Sequence, residues 1–293
     1  VKAALVKKVE SAVANANEVI RTRIDRFGVA QPNIQILKGR GQMGQIMVEM
    51  PGIKEPERVK KLLTGSANLQ FWETYRLDEV PAIAEIVGKN LQYPGGGCIV
   101  GYTRSKEDTT AIMDAYRAAK TYLPADLTLA WSVKEETQPM KKKDGSIENV
   151  SIGYALYLLK SKNGGPSMQG DVIKTAKADF NEQHQPIVSM TMTNRASTEW
   201  AKLTEKNVHR SVAIVLDGFV YSAPNVNEKI AGGNSQISGS FTIDDTRDLS
   251  NVLNSGRMDV SLKIVQDETV GPSLGEASIH AGFMACVIAL VLL

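Results

Sequence analysis

Histidine and cysteine, the side chains that most often bind metals or form disulfides, are scarce in this sequence. Its three histidines, His184, His209 and His280, are far apart, and its two cysteines are Cys98 and Cys286. No spacing among them resembles a zinc site, and two cysteines cannot make a disulfide framework. The sequence therefore predicts neither a metal site nor a cofactor.

An excess of charge of one sign is also missing. The 34 basic and 32 acidic residues give a formal net charge of +2 and are scattered along the chain. Because nucleic acid is bound through a basic patch, we expect no nucleic-acid partner. An apolar share of 43% in 293 residues is enough for two or three compact domains. The first residue is Val1 and the sequence shows no signal-peptide pattern, so we expect a fragment of a longer protein.

Motifs of catalysis are lacking as well. Residues 39–44 spell G-x-G-x-x-G, but a strand pattern follows where a dinucleotide site needs a helix, so we interpret the glycines as a hairpin loop. There is no G-x-S-x-G elbow, and the acidic pair Asp244-Asp245 is typical of a helix start. We therefore predict no enzyme and no catalytic residues. One alternative stays open: Arg40 lies in the loop, where a membrane-anchored hydrolase similar in topology to acylphosphatases would need a phosphate-binding arginine.

A long uncharged run stands at the C-terminal end of the sequence. Residues 277–293, ASIHAGFMACVIALVLL, carry no charge at neutral pH, close to the roughly 20 residues that cross a bilayer. Ser273 and Glu276 have the spacing of a capping box. We predict the start of a transmembrane helix at residues 273–293, with a small-residue face for helix packing at Ala281, Ala285 and Ala289. A buried helix of a soluble protein is the alternative.

The N-terminal quarter shows clear periodicity. An amphipathic helix is predicted from Val6 to Phe27, with Gly28 as its C-terminal cap. Alternating residues then predict a hairpin of strands 33–38 and 45–50, followed by a helix at 55–63 and a strand at 68–74. Residues 1–75 are thus expected to read α-β-β-α-β.

The middle of the chain, residues 76–165, has a broken pattern. Pro81, Pro94 and residues 95–97, all glycine, interrupt it, and a helix is predicted at 108–122. The run 141–145, KKKDG, is interpreted as a solvated hairpin turn rather than a binding patch, because Asp-Gly favours a turn.

The C-terminal part again has a regular pattern. A strand from Val188, a helix at 196–207 and two strands flanking Asp217-Gly218 predict a β-α-β-β unit. A short strand near Ile237 and a helix that Thr242 caps and Gly256 ends follow, and then a last strand at 260–265.

Several stretches, in this order, resemble the SecD family of protein-export subunits, and in particular its fused SecDF form. They are IRTRIDRFG (residues 20–28), QIMVEMPG (45–52), LQFW (69–72), AIVLDGFVYSAP (213–224), IAGGNSQISG (230–239) and VGPSLG (270–275). The resemblance implies a ferredoxin-like base with an inserted α+β head, followed by a C-terminal transmembrane helix. The implied parts are a first part of the base at 1–75, a variable insertion at 76–164, a head at 165–257, a returning base strand and linker at 258–272, and the membrane helix at 273–293.

The resemblance also implies a function. The chain would be the mostly periplasmic part of a multi-pass subunit of the bacterial inner membrane, whose head binds emerging preprotein and moves while the proton motive force drives translocation. The implied partners are SecF or a fused SecF half, the SecYEG translocon, YajC and the unfolded preprotein. Met190 and Met192 are candidates for an adaptable client-binding surface or for the core, and Gly164-Gly165 and Gly256 for hinges or ordinary turns and caps.

Overall fold

The computed structural model of this chain describes residues 2–29, 31–37, 44–53, 55–141, 147–170, 172–258 and 260–268. Its helices are α1 Lys2–Phe27, α2 Pro56–Thr64, α3 Pro81–Val87, α4 Lys106–Ala118, α5 Asn194–Lys206 and α6 Ile243–Asn254. Its strands are β1 Asn33–Ile36, β2 Ile46–Glu49, β3 Leu69–Thr74, β4 Tyr93–Pro94, β5 Ile99–Thr103, β6 Leu127–Lys141, β7 Ile147–Lys160, β8 Met168–Gln169, β9 Ile173–Phe180, β10 Pro186–Met192, β11 Val212–Leu216, β12 Phe219–Ser222 and β13 Asn234–Ile237. The predicted α+β class is confirmed.

Side-chain caps mark where several helices begin. Thr242 and Asp245 form a capping box at α6: the Asp245 N–H donates to Thr242 Oγ1 at 3.2 Å, and the Thr242 N–H donates to Asp245 Oδ2 at 2.8 Å. Ser105 accepts the Asp108 N–H at the start of α4. Such caps satisfy backbone donors that the first turn leaves free. The predicted role of Thr242 is confirmed.

The N-terminal α-β-β-α-β order is confirmed. Gly28 ends α1 at φ +77°, and its N–H donates to Ile24 O at 3.2 Å. β1 and β2 pair antiparallel as the predicted hairpin. The apolar face of α1 is buried through Ala16, Val19, Ile20 and Ile24, which is the face that the helical periodicity indicates.

The largest sheet closes on itself. In the part of the chain that the structure describes, its strand order is β4-β5-β7-β6-β12-β11-β3-β8, and β7 also pairs with β3. This extra pairing joins β3, β11, β12, β6 and β7 into a barrel. One apolar cluster of these strands combines small and branched side chains, such as Ala155, Ala213 and Val215, with the larger Trp72 and Tyr157.

A bulge bends the long hairpin of β6 and β7. The register shifts between Trp131 and Glu135, and Ser132 supports the irregular backbone there. Its Oγ accepts the Ala155 N–H at 3.0 Å and donates to Lys134 O at 2.6 Å. Extra residues in one strand raise its twist and curvature, so the bulge helps the sheet to curl into the barrel.

A second sheet packs against the outer face of the barrel. Among the described strands its order is β13-β10-β9. Its core joins α5 and α6 to β3, β10 and β11, and at its centre the rings of Phe71 and Trp200 lie 4.8 Å apart. A separate cluster packs α3 and α4 against β5, β6 and β7, through residues such as Ile83, Ile112 and Leu156.

Three sequence predictions differ from the fold. Pro81 begins α3 instead of breaking the pattern, because a first-turn residue needs no N–H partner. The run predicted as a helix at 108–122 ends as α4 at Ala118, and a 3-10 turn follows. The strand predicted at 260–265 is wrong: residues 260–268 carry no strand, since alternation favours an extended backbone but a strand also needs a hydrogen-bonded neighbour.

The chain forms two compact units, Val1–Ser261 and Leu262–Leu293. All the helices and strands above lie in the first, and residues 262–268 of the second carry neither helix nor strand. Within the described residues, no helix is both long and apolar enough to cross a bilayer. The predicted membrane segment, residues 273–293, lies outside them.

Candidate functional site

The histidines do not come together as a site. His184 and His209 are both exposed in turns with φ near +60°, and His280 lies outside the described residues. In the part of the chain that the structure describes, no group of three or more His, Cys, Asp or Glu side chains is placed to bind a metal.

The glycine-rich loop of residues 39–44 is described only at Gly44, and Arg40 lies outside the described residues. Gly44 has φ +87° and precedes β2. A strand therefore follows the loop, as predicted, where a phosphate-binding glycine loop requires the N-terminus of a helix. The run 141–145 joins β6 to β7, whose Lys141 and Ile147 pair across the hairpin. The predicted hairpin is confirmed, while its turn residues 142–146 lie outside the described residues.

The two candidate methionines are core residues. Met190 and Met192 of β10 are 1% and 3% exposed, inside the cluster that contains Trp200. They do not offer a client-binding surface in this structure, because such a surface must be open to solvent. Of the candidate hinge glycines, Gly164 lies in a closed turn in which the Lys162 N–H donates to Gly165 O at 2.7 Å, and Gly256 at φ +85° follows the end of α6.

A buried arginine joins three helices. Arg23 on α1 is 3% exposed, and its Nη1 donates to Leu62 O at 2.7 Å and Gly65 O at 2.5 Å, at the C-terminal end of α2. Its Nε donates to Ser255 Oγ, just after α6, at 3.0 Å. Burial lowers the pKa of Arg23 to about 10, against the opposite effect of the Asp217 charge. The guanidinium stays charged at neutral pH and is well placed, because helix C-termini carry partial negative charge.

Asp217 connects the β11–β12 hairpin to the segment after α2. Its carboxylate accepts hydrogen bonds from Ser66 Oγ at 2.5 Å and from the Asn68 N–H at 3.0 Å. Asp217 and Gly218 both have positive φ, +52° and +88°, as a two-residue hairpin turn of type I′ requires. Asp217 thus forms part of the predicted turn, and its carboxylate also links parts of the chain about 150 positions apart.

Titratable groups near the barrel interior do not form a nucleophilic centre. Burial raises the pKa of the Cys98 thiol, and a thiol that stays protonated is a poor nucleophile. Burial also raises the pKa of Glu136, which a hydrogen bond to Tyr157 partly offsets. The pKa of Tyr157 is also raised, mainly by burial and secondly by the nearby charge of Glu136. Cys98 and Tyr157 belong to the apolar cluster of the barrel strands, so packing explains their burial.

The most open part of the second sheet is strand β9. From Lys177 to Phe180 every residue is exposed, and the Phe180 side chain is 53% exposed. Among the described residues, β9 has a strand neighbour on one side only, β10. Unpaired strand edges can bind another extended chain, so this edge is the strongest candidate contact surface.

Sequence reasoning missed two residues that connect distant parts of the chain: Arg23, and Asn254 at the end of α6, whose carboxamide bonds the N–H and the carbonyl of Ala176 on β9. Arg23 could have been noticed as a charge on the apolar face of α1, since it lies three positions after Ile20. Asn254 gives no such signal, because an asparagine near a helix end is common.

Comparisons with known proteins place the chain in a class. The family model described as "SecDF, P1 head subdomain" matches residues 148–260. The model described as "Protein translocase subunit SecDF, P1 domain, N-terminal" matches residues 13–76. The two matches follow in order along one chain, so the class is that of the SecDF P1 domain.

Relatives and solved structures agree. SecD of Rhodothermus marinus is 33% identical over 100% of this chain and 52% of its own length, and SecD of Magnetococcus marinus is 33% identical over 96% and 43%. A solved structure described as "a membrane component SecDF that enhances protein export" is 25% identical over 89% of this chain and 94% of that one, with a TM-score of 0.54. A SecDF crystal structure in a "Super-membrane-facing form" is 26% identical over 96% of this chain and 31% of that one, with a TM-score of 0.55.

The chain belongs to the SecD/SecDF family of protein translocase subunits. It spans about half the length of the curated relatives it matches. These relatives are named translocase subunits, so the acylphosphatase-like alternative has no support among them. The resemblance to the SecD family drawn from the motifs is confirmed.

Proposed function

We propose that this chain is the periplasmic part of a SecD-type subunit that binds emerging preprotein and moves to promote translocation driven by the proton motive force. Family membership carries the proposal, because both P1 models match in order along the chain. A relative's structure is described as that of a component "that enhances protein export". In this proposal the chain has no chemistry of its own and acts by binding.

The surface supports a binding role. The exposed end of β9 offers backbone donors and acceptors together with the Phe180 ring. Backbone hydrogen bonds suit a partner that arrives as many different sequences, because every sequence has the same peptide groups. A protein that assists export must meet this requirement.

The proposed domain assignment follows that of the family. Residues 1–75 form the first part of a base, 76–164 a variable insertion, 165–257 the mobile head, 258–272 a return to the base, and 273–293 the start of a membrane helix. The pairing of β3 with β11 joins the proposed base and head in one sheet, so motion of the head has to involve segments outside this pairing. The proposed partners are SecF, the SecYEG translocon and YajC in the bacterial inner membrane.

Photo-crosslinking in inner-membrane vesicles tests the proposal. A photoreactive residue is placed in the full-length protein at Phe180 on β9, or at Arg195 or Glu199 on α5, whose side chains are exposed. Lys7 on α1 is the control position in the proposed base. We expect adducts with a secretory protein stalled in translocation from at least one head position and none from Lys7. Absence of adducts from every head position would contradict the proposal.

A further inference from the structure

A side chain of this protein is hydrogen-bonded to the outer edge of β9. Asn254, the last residue of α6, accepts the Ala176 N–H with its Oδ1 at 2.8 Å and donates from its Nδ2 to Ala176 O at 2.6 Å. A residue of a neighbouring antiparallel strand would make the same two bonds. The carboxamide of Asn254 therefore occupies the place of a peptide group in an added strand.

The next residue of β9 that faces outward, Ala178, has no partner for its peptide groups on that side among the described residues. Peptide groups point to alternate sides along a strand, so those of Ala178 and Phe180 face the same way as those of Ala176. The Phe180 N–H donates to the Asp179 carboxylate at 2.8 Å.

The side chains at this edge suit an apolar or mixed segment. Ala176, Ala178 and Phe180 share one face by the period of two, and that face is buried at Ala176 but open at Ala178 and Phe180. The opposite face carries Lys177 and Asp179, of opposite charge, so it does not select a partner of one sign. The edge thus provides main-chain bonds, one aromatic contact and no charge preference.

We propose that an extended segment of the translocating polypeptide adds to the outer edge of β9 at residues 176–180 as a further strand, and that Asn254 competes with it at Ala176. This inference rests on the proposed function and names its site. The position of Asn254 is fixed by its neighbour, because Ser255, the next residue, accepts a hydrogen bond from the buried Arg23. A shift of the end of α6 would free Ala176 and lengthen the available edge.

Two matched pairs of variants test the inference in the full-length protein in membrane vesicles. The probe is a stalled secretory polypeptide, with the photoreactive residue at Phe180. Ala178→Pro removes the free N–H, at an edge position where proline is tolerated, and Ala178→Thr keeps it. Asn254→Ala removes the competitor, and Asn251→Ala changes a residue one turn earlier on α6. We expect Ala178→Pro to lower the adduct yield about tenfold, Asn254→Ala to raise it several-fold, and the two controls to leave it within about twofold.

The outcomes separate this inference from the proposed function. Adducts from Arg195 or Glu199 that Ala178→Pro does not change, with none from Phe180, would overturn the β9 site and leave the export role standing. Absence of polypeptide adducts from all three positions would overturn both. Adducts between two copies of this chain at Phe180 would show that the edge takes a second copy, which also overturns the inference. An unchanged yield in Asn254→Ala would refute the competition.

Discussion

Replacing Arg23 by methionine is the sharpest test of how the helices are held together. Methionine preserves most of the buried volume but removes the donors to Leu62 O, Gly65 O and Ser255 Oγ. At 3% exposure, water cannot replace these donors without opening the structure. The two carbonyls at the end of α2, which are only partly exposed, would lose this charged donor.

The magnitude follows from two opposing effects. Each hydrogen bond from a charged donor contributes about 1.5–3 kcal/mol. The burial that lowers the pKa of Arg23 from the ordinary value of an arginine to about 10 opposes folding by about 3 kcal/mol, at about 1.36 kcal/mol per pH unit. Three such bonds, offset by this cost, lead us to expect a net loss of about 1.5–6 kcal/mol.

Urea unfolding followed by tryptophan fluorescence measures this loss, because Trp200 is buried in the core. With a slope of about 3 kcal/mol per molar urea, the midpoint should fall by about 0.5–2 M. The control is Arg21→Met, on the exposed side of the same helix, where we expect a change within about 0.5 kcal/mol. Equal midpoints for the two variants would refute the role given to Arg23.

Two further predictions concern the barrel and the pH dependence. At Gly153 φ is +105°, and an added Cβ would lie 2.2 Å from Thr103 O. Gly153→Ala should therefore lower the free energy of unfolding by about 3 kcal/mol or more. The control is Gly164→Ala, where an added Cβ meets open space, and we expect a loss of about 1 kcal/mol in the same urea assay. Burial raises the pKa of Tyr221 to about 12, above the value near 10 of an unfolded tyrosine. The stability that this shift contributes is complete below pH of about 10 and is lost as the pH rises towards about 12, so Tyr221→Phe should flatten the alkaline fall in unfolding free energy by up to about 1.4 kcal/mol per pH unit. An alkaline slope as steep as that of the unmodified chain would count against this assignment.

Much of the secondary structure follows from the sequence because its causes are local. The helical period places Ile20 and Ile24 on one face of α1, and Thr242 caps α6 through an N–H three positions away. Asp217-Gly218 forces a tight hairpin because both residues tolerate positive φ. Around Pro81 the local sequence does not decide the structure, since proline both breaks and begins helices and only its tertiary surroundings determine which.

The sequence by itself determined the α+β class, most helices and hairpins, and, through its motifs, the family. Only the tertiary structure decided which strands meet: the pairing of β3 with β7 and β11 closes the barrel, and no periodicity states a strand's neighbour. The same holds for the candidate site. Asn254 and Ala176 are 78 positions apart, and Arg23 and Ser255 are 232 apart, so their bonds exist only after the helices and sheets have packed. Local patterns encode dihedral preferences and exposed faces, whereas distant contacts depend on the packing of the whole core.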